Sequence, residues 1–276
     1  MSTTSPNEMS FLDHLEVLRW HLIRAVGAIM IAATGAFIAK KFIFDTVLLG
    51  PKRADFLTYD LLCRLSNVIG LDDSFCFQDL PFAIQSRTMS GQFSAHIWTS
   101  ITAGFIIAFP YVLYEVWKFI APGLYPTERK SARGFIFIAS FLFFIGVTFG
   151  YYIITPLSIN FFGNYQVSDM VLNEFDLSSY VGLVRASVLA SGIIFELPII
   201  IYFLTKVGLV TPEDLKKYRK FALVIVLVLA AIITPPDVGT QIVVAIPILV
   251  LYEVSIFISK RVVKNERKRE AKAKKS

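Results

Sequence analysis

The chain has 276 residues, of which 55% are hydrophobic and only 17% charged, and its mean hydropathy is +0.62. Apolar runs of membrane-spanning length recur along it, which excludes a soluble one- or two-domain protein and predicts a polytopic membrane protein. The net charge of +6 speaks of topology before nucleic acid, because many of the Lys and Arg lie in polar connectors and in the tail.

In chain order, the polar opening MSTTSPNEMS and the acid-bearing stretch behind it do not read as a cleavable signal, so the first apolar run is expected to be retained. In FLDHLEVLRWHL, Phe11, Leu15, Leu18 and Leu22 fall on one helix face, with Asp13, Glu16 and Arg19 elsewhere. That pattern predicts an interfacial helix within a cytoplasmic segment 1–20. Six transmembrane helices are expected within residues 21–259, at 21–39, 93–117, 134–155, 179–204, 221–234 and 241–259. An outer loop 40–92 and a basic cytoplasmic tail 260–276 complete the division. The last two runs are short: fourteen residues reach only about 21 Å, less than a bilayer core, and TPPD at 234–237 is a hard stop.

Six spans place both termini on one side. The connectors on that side carry Lys118, Arg129, Lys130 and Arg133, then Lys206, Lys216, Lys217, Arg219 and Lys220, and the tail adds nine more basic residues. The opposite connectors 156–178 and 235–240 carry none. Cytoplasmic termini follow from this bias. The tail reads as a polybasic segment at anionic lipid headgroups, with no nucleic-acid partner expected.

Enzymatic chemistry finds nothing to stand on. His14, His21 and His96 form no HExxH pair, and no GxSxG elbow, P-loop or dinucleotide fingerprint occurs. No enzyme, metal or cofactor is expected. Cys63 and Cys76 lie in the outer loop; on an oxidising side they would form a structural disulfide, and otherwise they are two reduced thiols. Glu196 stands alone in the apolar SGIIFELPIII, and a carboxylate at mid-span is costly unless it faces other helices or a watery cavity. Arg185, eleven residues earlier, falls on nearly the same helix face about 16 Å away. These two residues leave two readings open: a structural polar contact, or the midplane site of a secondary transporter.

Four stretches, HLEVLR (14–19), FIAPGLYPTERK (119–130), FELPI (195–199) and TPPDVGTQ (234–241), together resemble the TatC family, the multispan receptor subunits of twin-arginine protein translocases. The resemblance implies an all-α protein whose six helices form a curved, glove-like arrangement with a short final pair. It implies export of folded precursors across the inner membrane, driven by the proton motive force. Implied partners are TatA- and TatB-type single-span subunits, twin-arginine signal peptides, lipids and several copies in a hetero-oligomer. Residue by residue, it places Glu128 at the signal's arginines, with Phe119, Pro51 and the Arg19 motif tied to the receptor function. Glu196 falls inside the concave face, and Gln241 with Asp237 at the outer end of the last two helices, for partner docking. The family's HLxELR carries a second acid where this chain has Val17, which leaves Glu16 or Asp13 as the implied helper.

Overall fold

No Gly or Pro interrupts the chain between Phe11 and Gly27. In the computed structural model, which describes residues 11–53, 55–69, 82–121, 132–168, 170–235 and 237–273, that stretch is one uninterrupted helix. Helix α1 (Phe11–Ile38) therefore joins the amphipathic start, which the sequence pattern reads as an interfacial helix feeding the first span, to that span without a break. Leu, Arg, Glu and His carry the backbone through with little propensity cost, so nothing ends the helix at the polar-to-apolar transition.

Among the described residues, five helical stretches are long and apolar enough to cross a membrane: Leu15–Ile38, Gly91–Ile120, Gly134–Asn164, Leu177–Lys206 and Val238–Lys268. The first two belong largely to one compact unit, Met1–Ile43 with Gln92–Phe141; the other unit is Phe44–Gly91 with Leu142–Ser276. In the first unit α1 runs antiparallel to α3 (Gly91–Ile120). One rung near an end is His21 with Glu115; near the other, the Phe37 ring stacks on His96 at 3.9 Å, and the His96 Nε2 lies 3.0 Å from the Phe37 carbonyl. Between the rungs the backbones touch. A Cβ on Gly104 would sit 2.6 Å from the Ala33 nitrogen, so only glycine fits there.

The second unit begins with the outer loop, which is ordered around Pro51. A π-helical turn (Phe42–Leu48) and a short 3₁₀ turn (Gly50–Lys52) lead to α2 (Leu57–Ile69). The buried Tyr59 hydroxyl reaches two carbonyls, Pro51 at 2.9 Å and Pro156 at 3.2 Å. Tyr151 donates to the Val47 carbonyl and Tyr180 to that of Leu48. Phe56 packs among Tyr59, Tyr151 and Tyr152. Burial pushes the Tyr59 phenol up, away from ionisation. Tyr59→Phe leaves these buried carbonyls without their donor and should destabilise the purified protein by about 1–2 kcal/mol; an unchanged thermal midpoint would show that the loop is held without this bond. Cys63 on α2 is disulfide-bonded; Cys76 lies outside the described residues.

Strands β1 (Ala83–Gln85) and β2 (Glu174–Asp176) pair in parallel. The backbone N–H groups of Arg87 and Ser178 donate to Asp176 and hold its carboxyl below the usual carboxylate range. The Arg87 guanidinium adds an ion pair to Glu174.

The third span is longer than its apolar run suggested. Helix α4 (Ala132–Phe149), a π-helical turn (Gly150–Ile154) and α5 (Thr155–Asn164) follow one another directly. Pro156 follows the π-helical turn directly, and the Tyr152 carbonyl one turn before it accepts from the Thr58 hydroxyl, so the proline does not stop the chain. Helices α6 (Leu177–Phe195) and α7 (Leu197–Lys206) meet at Glu196. Gly208, at φ +80°, ends α7 in the left-handed conformation that glycine adopts without strain. A capping box opens α8 (Pro212–Lys217).

Helix α9 (Arg219–Ile233) is short, at 15 residues, as the sequence indicates. Its successor is not. Helix α10 (Val238–Ala273) has 36 residues, because the basic tail of Lys, Arg, Glu and Ala continues the helix begun in the apolar run. The expectation of two short final helices is thus corrected to one. Ile154, Val226, Ala230, Val244, Ala245 and Ile248 form the core on which α9 and α10 close. Helix α10 packs most extensively along α7, tied by a Thr205–Ser259 hydroxyl bond of 2.9 Å and a Lys206–Glu266 ion pair of 3.0 Å.

Candidate functional site

The polar residues expected to matter fall into both units. In the first, α1 carries Asp13, Glu16 and Arg19, and Glu16 and Arg19 are exposed. The side chain of Asp13 and all of Glu128 lie outside what is described. Phe119 stands in the last turn of α3, half-buried, with its ring edge-on to His21 at 6.4 Å. The N-terminal motif and the residues leading into PTERK therefore lie at the same end of the α1–α3 pair.

Sequence reasoning missed what joins them. Glu115, one turn before Phe119, is only 2% exposed, and its Oε2 lies 2.6 Å from the His21 Nδ1. The Arg24 Nη1 is 3.9 Å from the same oxygen, close enough for attraction and too far for a hydrogen bond. Tyr111, one turn earlier on α3, also interacts with this carboxylate. Lys118 lies over the Tyr114 ring at 4.4 Å. Spacing could have pointed to Glu115, since an acid inside an otherwise apolar helical run is uncommon.

The second unit holds the remaining residues. Pro51 is buried and accepts from Tyr59 through its carbonyl. Glu196 is buried at the junction of α6 and α7, where its carbonyl accepts from the N–H groups of Ile199 and Ile200. Among the described residues its Oε1 has no hydrogen-bond partner. Arg185 is half-buried earlier on α6. Two residues expected at a docking surface have internal partners. Gln241 donates to the Leu227 carbonyl at 3.0 Å, bracing α10 on α9. Asp237 accepts from the Thr240 N–H at 2.9 Å and so caps the start of α10. On the tail, Lys260, Lys264, Arg267 and Lys268 line a cleft of about 360 Å³ against Pro212 and Glu213.

This arrangement can be set beside known proteins. Residues 13–247 match the family described as Sec-independent protein translocase protein (TatC). The chain belongs to the TatC family. A family protein of Blattabacterium sp. subsp. Periplaneta americana (strain BPLAN) is 47% identical over 254 residues, covering 92% of this chain and 96% of that one. One of Helicobacter pylori (strain ATCC 700392 / 26695) is 36% identical, covering 90% and 87%. A crystal structure of the twin arginine translocase receptor TatC superposes with a TM-score of 0.67 at 33% identity, over 91% of this chain and 99% of that one. Family membership and the five long apolar helices make this a multi-pass helical membrane protein. The named relatives are protein translocase subunits, a transport role.

Proposed function

We propose that this chain is the signal-peptide receptor and core subunit of a twin-arginine translocase, exporting folded precursors across the inner membrane with the proton motive force. The observation that carries this reading is the meeting of the HLEVLR helix with the end of α3, through His21, Glu115 and Phe119, in a chain of the TatC family. Glu128, with Asp13 or Glu16, receives the signal's arginine pair. Two adjacent guanidinium groups are permanently charged forks that bind carboxylates bidentately, which a lysine pair cannot reproduce.

Six spans in the curved arrangement expected of the family are part of the same proposal, with α9 as the short one. An odd number of crossings would part the basic connectors 205–220 from the basic tail, and a sixth crossing through α9 keeps both cytoplasmic. The buried Glu196 offers a polar contact within the bilayer to TatA- and TatB-type partner helices, and Gln241 adds to it once released from Leu227. Several copies assemble with these partners. The basic cleft on α10 rests on anionic headgroups. Solute transport through Arg185 and Glu196 has less support, because the relatives are named protein translocase subunits.

The test is photocrosslinking of a twin-arginine signal peptide to the membrane-embedded protein, with a Lys-Lys peptide as control, alongside export by Glu128→Gln. Crosslinks that vanish with Lys-Lys, and export reduced at least tenfold in the variant, are expected. Export at the full rate by a normally expressed Glu128→Gln protein would sink the receptor reading.

A further inference from the structure

The receptor reading calls for a second carboxylate near the α1 motif, and the residue at position 17 of α1 is valine. Val17, His21 and Arg24 are spaced by four and three residues and share one face of α1. That face carries His21 and Arg24, the α1 partners of Glu115, so the carboxylate on α3 lies about one helical turn from the position 17 side chain.

We propose that Glu115 is a further carboxylate of the arginine-binding site, beside Glu128 and its helper on α1, held by His21 and Arg24 until a signal arginine takes Arg24's place. The proposal rests on the receptor reading and adds a residue to it. Three features support the exchange. Arg24 contributes charge without a hydrogen bond, since 3.9 Å is too long for one. Its side chain is 52% exposed, so it can swing away at little cost in packing. His21 offers a single N–H to one oxygen, at 2.6 Å. An incoming guanidinium can bring two parallel N–H groups within hydrogen-bond reach, a stronger pairing than the 3.9 Å contact it replaces. An ammonium is a point charge that cannot form the fork, so the exchange favours arginine over lysine. Phe119, packed edge-on to His21, closes the cluster toward the end of α3.

The test measures binding of a labelled twin-arginine peptide, and of its Lys-Lys counterpart, to the full-length protein in nanodiscs. Glu115→Gln keeps an acceptor for His21 and loses the charge. Its affinity for the twin-arginine peptide should fall at least tenfold, with weak Lys-Lys binding unchanged. Adding Val17→Glu to that variant should restore affinity to within threefold of the parent, since it returns a carboxylate to the same face. Arg24→Gln, which removes the competing cation, should tighten binding twofold or more and keeps the idea open to test if Glu115→Gln folds poorly. If Glu115→Gln binds normally while Glu128→Gln does not, the inference falls and the receptor reading stands. If Val17→Glu gives no rescue, or Arg24→Gln weakens binding, Glu115 is a structural brace and the inference falls. If Glu128→Gln and Glu115→Gln both bind normally, the receptor reading falls with it.

Discussion

Replacing Gly146 by valine should lower the thermal unfolding midpoint of the detergent-purified protein by roughly 10 °C, from an overpacking cost of about 3 kcal/mol. Gly146 and Gly150 stand one turn apart on the third span and face Ser187, Ser191 and Gly192 of α6. A Cβ at 146 would lie 2.6 Å from the Ser191 carbonyl oxygen and 2.9 Å from the Gly192 Cα; one at 150 would lie 2.6 Å from the Ser187 carbonyl oxygen. These neighbours are backbone atoms, so no rotamer change relieves the clash and one helix must move away. In a membrane this matters more than in water, because helix association there depends on close van der Waals contact and not on expelling solvent. Gly182 is the control: nothing lies within 4 Å of its added Cβ, and Gly182→Ala should change the midpoint by no more than about 2 °C. A Gly146→Val protein melting with the parent would mean that the two helices do not touch there.

His21→Leu should destabilise by about 2–3 kcal/mol, between the loss of a hydrogen bond to a buried acceptor and the stranding of a buried charge. The Glu115 carboxylate is covered by neighbouring side chains, with the His21 Nδ1 2.6 Å away and Tyr111 beside it. Leucine fills similar volume, so the loss reports the polar contact and not a cavity. Glu115→Gln, which still accepts from His21, should cost less than half as much. Measuring both midpoints in one detergent checks this. Equal losses would show that His21 and Glu115 act through packing alone.

Much of the architecture was legible in the sequence because a lipid environment imposes a severe local rule: a crossing helix must be predominantly apolar over about 20 residues. The runs at 93–117 and 179–204 lie inside the observed helices Gly91–Ile120 and Leu177–Lys206 for that reason. Helix ends were less legible. The run at 134–155 ends just before Pro156, yet a π-helical turn in front of the proline and the Thr58 hydroxyl on the Tyr152 carbonyl keep the helix going to Asn164. The final helix seemed to stop at its first lysine, but hydropathy marks where lipid ends and not where hydrogen bonding ends. Gln241 and Asp237, expected at a docking surface, also bond Leu227 and Thr240 within the chain, which the sequence did not show. Side-chain amides and carboxylates near a helix start satisfy local backbone groups first, since these are always within reach.

By itself, then, the sequence determined that this is a multi-pass helical membrane protein of the TatC family. Long apolar runs and four ordered motifs are properties of the linear chain and need no contact map to be read. Tertiary structure alone decided which polar groups meet. His21 and Glu115 are 94 residues apart, and the tie between them exists because α1 and α3 lie antiparallel and close enough for backbone contact at Gly104. No periodicity in either segment encodes that pairing. It follows from helix packing, which turns a lone acid in an apolar run into a paired carboxylate beside the receptor motif.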